Sequence, residues 1–292
     1  MNTVTRNSHA KINLGLDVVR RRPDGYHDLR MIMQTLELCD RITLEKTEES
    51  QISLSCSLPG LPTDSRNLAW RAASLLREEF GIREGVKIHL EKHIPVSAGL
   101  AGGSGNAAAV LQGMNELFGL GLSRQQLMDR GLTLGADVPY CLLQGTALAE
   151  GVGEILTPLP ALPPCTLLLV KPDLSVSTGY VFTHLTLDEG TVHPDIDGMR
   201  ASIEAGDLSG VLSRLGNVLE TVTVPAHPEI ADIKNALLDQ GAAGALMSGS
   251  GPTVFGIFTE PDLARAAARE LRSRYSDAFI CCTGLYQPTE ER

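Results

Sequence analysis

Pro95-Val96-Ser97-Ala98-Gly99-Leu100-Ala101-Gly102-Gly103-Ser104-Gly105-Asn106-Ala107-Ala108 is the stretch whose reading decides the fold. Four glycines crowd it, and an alanine-rich apolar run over 107–118 follows at once. Glycine has no Cβ, so its backbone N–H can come close to an anion. A helix that starts there aims its free N–H groups and the positive end of its dipole at the same spot. The stretch therefore reads as a phosphate cradle. It is not a Walker A loop, because no Gly-Lys-Ser/Thr closes it. Residues 103–108 do match the dinucleotide pattern G-x-G-x-x-A, which belongs after a buried parallel strand. The segment before it, 86–91, instead alternates apolar and polar residues, as an antiparallel strand with one wet face does. A capped, flexible loop is the plainer alternative, but a solvent loop has no need of so many glycines against an apolar helix.

Outward from that stretch, 292 residues suffice for a large core and two domains. Hydrophobic residues make up 43 %, as in an ordinary globular protein. A net charge of −10 argues against a broad nucleic-acid surface. The first ten residues are polar, and no apolar run approaches the ~20 residues of a membrane span. The expectation is a cytoplasmic protein with no membrane, nucleic-acid or obligate protein partner. The six cysteines (Cys39, Cys56, Cys141, Cys165, Cys281, Cys282) form no C-x-x-C pair and have no histidine at zinc-ligand spacing. They read as reduced core thiols, with Cys281 and Cys282 on opposite sides of one strand.

Residues 10–18 carry apolar side chains at every second position, the period of a strand, with Lys11, Asn13 and Asp17 on its other face. Pro23-Asp24-Gly25 marks a turn. Further strands are predicted over 31–38, 41–45 and 52–56, and an amphipathic helix over 67–80. Ser123-Arg124-Gln125-Gln126 is a capping box. Residues 146–156 read as a hairpin around 150–153. Four prolines in 156–164 mark a linker, which divides the chain into domains 1–160 and 161–292. Beyond it come a buried strand over 166–170, helical segments through 240, strands over 243–247 and 253–258, a helix over 261–274 and a strand over 279–286. With the middle helices grouped, the order is β-α-β-β-α-β, a ferredoxin-like plan. The tail from Pro288 reads as frayed.

Three features carry chemistry. Asp137, in Gly135-Ala136-Asp137-Val138-Pro139, is either a turn aspartate or a general base at a loop edge. The proline disfavours helix for Val138 and predicts a sharp bend. Lys11 is either on a solvated strand face or, beside Asn13, a partner for a carboxylate and a phosphate oxygen. Ser248-Gly249-Ser250-Gly251-Pro252 is a second glycine-rich loop, either a plain hairpin turn or part of a site lined by backbone.

Lys11-Ile12-Asn13-Leu14-Gly15, the stretch 95–108 and the loop 248–252, in that order and across essentially the whole chain, resemble the GHMP kinase superfamily. The resemblance implies an α+β fold of two domains, a ribosomal-protein-S5-like N-terminal domain and a ferredoxin-like C-terminal domain. Residues 10–16, Arg22-Pro23-Asp24-Gly25-Tyr26-His27-Asp28-Leu29, 135–139 and 150–154 resemble one branch in particular. Its members use ATP and Mg2+ to phosphorylate the 2-hydroxyl of a methylerythritol carried on cytidine diphosphate, a step towards isoprenoid precursors. The resemblance implies that Pro95, Val96, Ser97, Ala98, Gly99, Leu100, Ala101, Gly102, Gly103, Ser104 and Gly105 hold ATP. Asp137 is then the base and Lys11 its counter-charge. Asn13, Gly249, Ser250 and Gly251 contact the substrate. Tyr26 and Phe182 stack on the cytosine while His27 reads its edge. Ser104 is the implied Mg2+ ligand. The branch commonly has two serines where this chain has Ser104-Gly105, and glycines where it has Ser97 and Ala98. The rivals are a homoserine- or mevalonate-type kinase, whose substrates offer no base to stack, and a nucleotide-binding protein without catalysis.

Overall fold

The alternation over 10–18 is the middle of a longer strand, β1 (Thr3–Arg21). Ala10, Ile12, Leu14, Leu16 and Val18 are buried as their spacing requires, but so are Lys11, Asn13 and Asp17 on the opposite face. That removes the solvated-face reading of Lys11. The strands expected over 31–38 and 41–45 are one strand, β2 (His27–Thr47), which runs unbroken through Cys39 and Asp40. These elements come from a computed structural model, which describes residues 2–288. Of the tail expected to fray, everything beyond Pro288 lies outside the described residues.

The chain forms two compact units, one of Met1–Ala10, Leu38–Val96 and Ala101–Leu143, the other of Lys11–Glu37, Ser97–Leu100 and Gln144–Arg292. β1 and β2 are long enough to contribute to both. The first unit adds β3 (Ile52–Cys56), α1 (Leu68–Phe80), β4 (Gly85–Glu91), α2 (Gly102–Phe118), α3 (Arg124–Leu132) and α4 (Val138–Leu143). β4 is antiparallel to β2 and parallel to β3, with Ile88 opposite Leu44 on one side and Leu54 on the other. Val86, Ile88 and Leu90 are buried while Lys87, His89 and Glu91 face water. On the dry face lie α1 and α2, packed through Leu76, Val110 and Met114 against Ile42 and Leu44. A Cβ at Gly113 would stand 2.6 Å from Leu44 Cδ1, so glycine there lets α2 lie close to the sheet.

Two local expectations are corrected in this unit. α2 starts at Gly102, five residues ahead of the alanine run, so Gly102, Gly103, Ser104 and Gly105 form its first turn and not a loop. α4 includes Val138 as a helical residue. Pro139 sits in the first turn, where a missing N–H removes no helical bond. The capping box at Ser123 is present with both of its reciprocal bonds.

The second unit continues with β5 (Thr146–Gly151), β6 (Ile155–Leu159), β7 (Thr166–Lys171), α5 (Thr178–His184), α6 (Ile196–Glu204), α7 (Leu208–Leu212), β8 (Gly216–Asn217), α8 (Glu220–Ala226), α9 (Glu229–Asp239), β9 (Gly244–Met247), β10 (Val254–Phe258), α10 (Pro261–Arg274) and β11 (Phe279–Gly284). β5 pairs antiparallel with β2 and with β6, so the hairpin expected at 146–156 is there. β6 takes up the start of the proline-rich segment as an edge strand, a sheet position that tolerates Pro158. The four-stranded antiparallel sheet β11-β7-β10-β9, with α9 and α10 against it, is the ferredoxin-like arrangement that the element order implied. β8, two residues inside a region expected to be all helix, pairs parallel with β1, placing Asn217 opposite Leu16.

Of the cysteines only Cys141 is buried, and the other five are half-buried. Burial pushes the Cys165 thiol up to about 11 and raises Cys39, Cys281 and Cys282 as well. These four are thiols and not thiolates at neutral pH, hence poor nucleophiles. Among the described residues no helix is long and apolar enough to cross a membrane.

Candidate active site

In the first unit the start of α2 rests on a buried charged cluster. Asp40, inside β2, is fully buried, and the Lys92 side chain is 5 % exposed. One Asp40 oxygen accepts from the backbone N–H of His93 at 2.7 Å and of Ile94 at 2.8 Å. The other accepts from Lys92 Nζ and, at 2.8 Å, from Asn106 Nδ2. Lys92 Nζ also donates to Asn106 Oδ1 at 3.1 Å, and Asn106 Nδ2 to Ser8 Oγ at 3.0 Å. A burial this complete is tolerable because every charge is paired and hydrogen-bonded. The cluster joins β2, the exit of β4 and the first turns of α2. It also accounts for Gly105, since a Cβ there would stand 2.6 Å from Ser8 Oγ. Gly103 is different: a Cβ added to it meets nothing nearer than Leu68 Cδ1 at 3.7 Å.

Asp137 is half-buried on the turn between α3 and α4, and its carbonyl accepts the Cys141 N–H at 3.0 Å, capping α4. That turn lies beside the first turn of α2, because a Cβ at Gly135 would be 4.0 Å from Ser104 Oγ. A serine hydroxyl and a carboxylate on neighbouring turns are hard oxygen donors, of the kind Mg2+ takes.

In the second unit Lys11 Nζ donates to Asn13 Oδ1 at 2.8 Å, and Asn13 Nδ2 faces Met31 Sδ at 3.4 Å, so both ends of the Asn13 amide are engaged within the protein. The Lys11 N–H donates to the Leu100 carbonyl at 3.1 Å, which joins β1 to the segment 97–100. That segment is sharply bent, with φ of 51° at Ser97 and 72° at Gly99. Gly99 has no alternative: a Cβ on it would run into the Ser248 carbonyl. Ser248 Oγ in turn donates to the Gly99 carbonyl at 2.9 Å. So Lys11, Asn13, Gly99 and the loop 248–251 are neighbours, while Lys11 and Asp137 belong to different units.

The β1–β2 hairpin carries Tyr26 and His27, and α5 carries Phe182. Asp24 Oδ1 accepts the Tyr26 N–H at 3.1 Å, closing the turn, and Arg20 Nε donates to Asp28 Oδ2 at 2.5 Å below it. Tyr26 is 65 % exposed. The His27 and Phe182 rings lie 5.1 Å apart and tilted by 30°, which leaves no gap for a third ring between those two. Burial, and then Arg21, lower the His27 pKa below its ordinary value, so the imidazole is neutral at pH 7 and can donate from one nitrogen and accept at the other.

Sequence reasoning missed Asp40, Lys92 and Asn106. One signal was available: Asp40 is the charged member of the alternating series Leu36, Leu38, Asp40, Ile42, Leu44.

One glycine-rich turn opens a helix, and a second joins strands of the ferredoxin-like sheet. Residues 67–145 match the family described as GHMP kinases N terminal domain, and residues 199–277 match GHMP kinases C terminal. The chain belongs to the GHMP kinases, which use ATP. It is 53 % identical to the 4-diphosphocytidyl-2-C-methyl-D-erythritol kinase of Lachnoclostridium phytofermentans, over 93 % of this chain and 94 % of that one. It is 46 % identical to the kinase of the same name from Lachnospira eligens, over 99 % and 100 % of the two chains. A crystal structure of 4-(cytidine 5'-diphospho)-2C-methyl-D-erythritol kinase superposes with a TM-score of 0.82 at 36 % identity, covering 98 % of this chain and all of that one. Within the superfamily, the chain groups with these kinases.

Proposed function

We propose that this protein transfers the γ-phosphoryl group of ATP to the 2-hydroxyl of 4-diphosphocytidyl-2-C-methyl-D-erythritol, giving the 2-phosphate and ADP. The observation that carries the reading is the near-full-length likeness to kinases of that name. The substrate oxygen attacks the γ-phosphorus, and the bond to the bridging oxygen breaks with its electron pair leaving on ADP. Asp137 accepts the hydroxyl proton. Lys11 supplies fixed positive charge to the reacting groups. Such transfer asks little covalent chemistry of the protein, so positioning and N–H donors supply most of the barrier reduction. Ser104 is the side chain we assign to Mg2+, which when bound neutralises charge on the phosphates. An assay of ADP release with and without the cytidyl substrate is the direct test. ATP turnover that ignores the cytidyl compound overturns the reading.

The ATP cradle is tested by two glycines that differ in their surroundings. Gly103→Val has room in the fold and should leave stability unchanged while abolishing ATP binding, because its side chain fills the face of the helix start. Gly99→Ala, forced into a left-handed conformation against a carbonyl, should destabilise the protein by more than about 1 kcal/mol. A folded Gly103→Val protein with normal ATP affinity removes Gly103 from the cradle.

The cytidine site is tested through the aromatic group. Tyr26→Ala should weaken the cytidyl substrate by about 1–3 kcal/mol, the usual worth of a stacked base, and leave ATP unaffected. His27→Ala should erode the preference for cytosine over uracil. Since the His27 pKa lies below 6.5, wild-type affinity for the cytidyl substrate should be flat from pH 8 to 7 and fall only under about 6.5, as the imidazole protonates and loses its acceptor. Calorimetric titrations of the cytidyl substrate, its uridyl analogue and ATP decide the matter. A Tyr26→Ala protein that loses ATP instead argues for a different kinase of the superfamily.

A further inference from the structure

The loop 247–251 has an uneven hydrogen-bond pattern. Four successive carbonyls are occupied. Asn217 Nδ2 donates to Met247 O and to Gly249 O, each at 2.8 Å; the Gly251 N–H donates to Ser248 O at 3.0 Å; and Thr223 Oγ1 donates to Ser250 O at 3.2 Å. The N–H groups are treated differently. Met247 donates to Glu220 Oε1 at 2.9 Å and Ser248 to Thr253 O at 2.9 Å, yet those of Gly249 and Ser250 have no acceptor among the described residues. Both residues are buried. Two successive N–H groups without a partner in the chain, on residues this little exposed, offer donors to an anion from outside it. Adjacent N–H groups around a left-handed residue, here Gly249 with φ of 58°, form a concavity for an anionic oxygen.

Asn217 is the residue that arranges this. Its amide is buried and fully used, with both protons on the loop and Oδ1 accepting the Leu219 N–H at 2.9 Å. Its backbone is paired to β1 at Leu16, on the strand that carries Lys11 and Asn13. We infer that Asn217 is a positioning residue for phosphoryl transfer: by holding the Met247 and Gly249 carbonyls, it keeps the Gly249 and Ser250 N–H groups open to a phosphate oxygen of one of the two substrates. The inference rests on the kinase reading above.

Three variants test it. Asn217→Ser keeps one donor, Asn217→Ala keeps none and admits water, and Asn217→Asp keeps the shape but turns a second carboxylate oxygen on two carbonyls. The expected order of kcat/KM is Ser above Ala above Asp, with Asp about thirtyfold or more below wild type. A residue that only fills space gives the opposite order, with the near-isosteric Asp the best of the three, and that result overturns the inference. Affinities for ATP and for the cytidyl substrate, titrated separately on each variant, identify whose phosphate is held: the one that weakens about tenfold. Equal affinities in all variants overturn the inference. If Asn217→Asp does not fold, the comparison of Ser with Ala decides, Ser being at least about fivefold the more active. If wild type transfers no phosphate to the cytidyl substrate, the kinase reading is what has failed. Binding of inorganic pyrophosphate to wild type and Asn217→Ala then tests the inference alone, with a tenfold loss expected and no loss overturning it.

Discussion

Asp137→Asn will fold, bind ATP and the cytidyl substrate with affinities close to wild type, and turn over about 10²–10⁴-fold more slowly, the usual contribution of a general base. The backbone of Asp137 does the structural work at its turn, through the carbonyl that caps α4 at Cys141, and an asparagine keeps that carbonyl in place. The side chain is half-buried on the turn that adjoins the glycine-rich start of α2. An amide there has the same size and can still orient a hydroxyl, but it cannot take up the proton. Single-turnover measurements at saturating substrates separate the chemical step from binding. A rate within about tenfold of wild type would falsify the assignment. Lys11→Ala should also lose turnover, but it is the less clean variant, since Lys11 is buried against Asn13 and its removal leaves the Asn13 carbonyl oxygen without that donor.

What the sequence made legible was local. The period of two over 10–18 gave β1, and the proline at the start of α10 with the arginines at its end bounded that helix as the structure has it. The early start of α2 could not be read in the same way, because glycines disfavour helix and the contacts made there by Ser8 and Lys92 with Asn106 come from distant parts of the chain. β8 has two residues and therefore no period at all. The burial of Lys11, Asn13 and Asp17 was invisible because a polar strand face is dry only when something covers it, which is a tertiary fact. The motifs at Lys11, 95–108 and 248–252 were conspicuous because chemistry demands unusual residues there. Asn217 and Asp40, which hold those motifs in shape from far along the chain, are ordinary residues until their partners are known.

Asp40→Ala will cost about 3–5 kcal/mol of stability in the first unit, among the largest effects of any single substitution there, because it leaves the Lys92 ammonium buried without its counter-charge. Asp40 accepts four donors, and deleting it takes an acceptor from each, including the two backbone N–H groups that lead towards the glycine-rich turn. Lys92→Met should be costly for the converse reason, a carboxylate left buried. The double variant should not cost the sum. Once one charge is gone, removing the other relieves an unpaired ion, so the two effects should fall short of additivity by about 1–3 kcal/mol. The single tryptophan of the chain, Trp70 in α1, lies in the same unit, so its fluorescence during urea unfolding reports on the right part of the molecule. Additivity within about 0.5 kcal/mol would mean that the pair is not coupled, and that the start of α2 is held by its apolar packing alone.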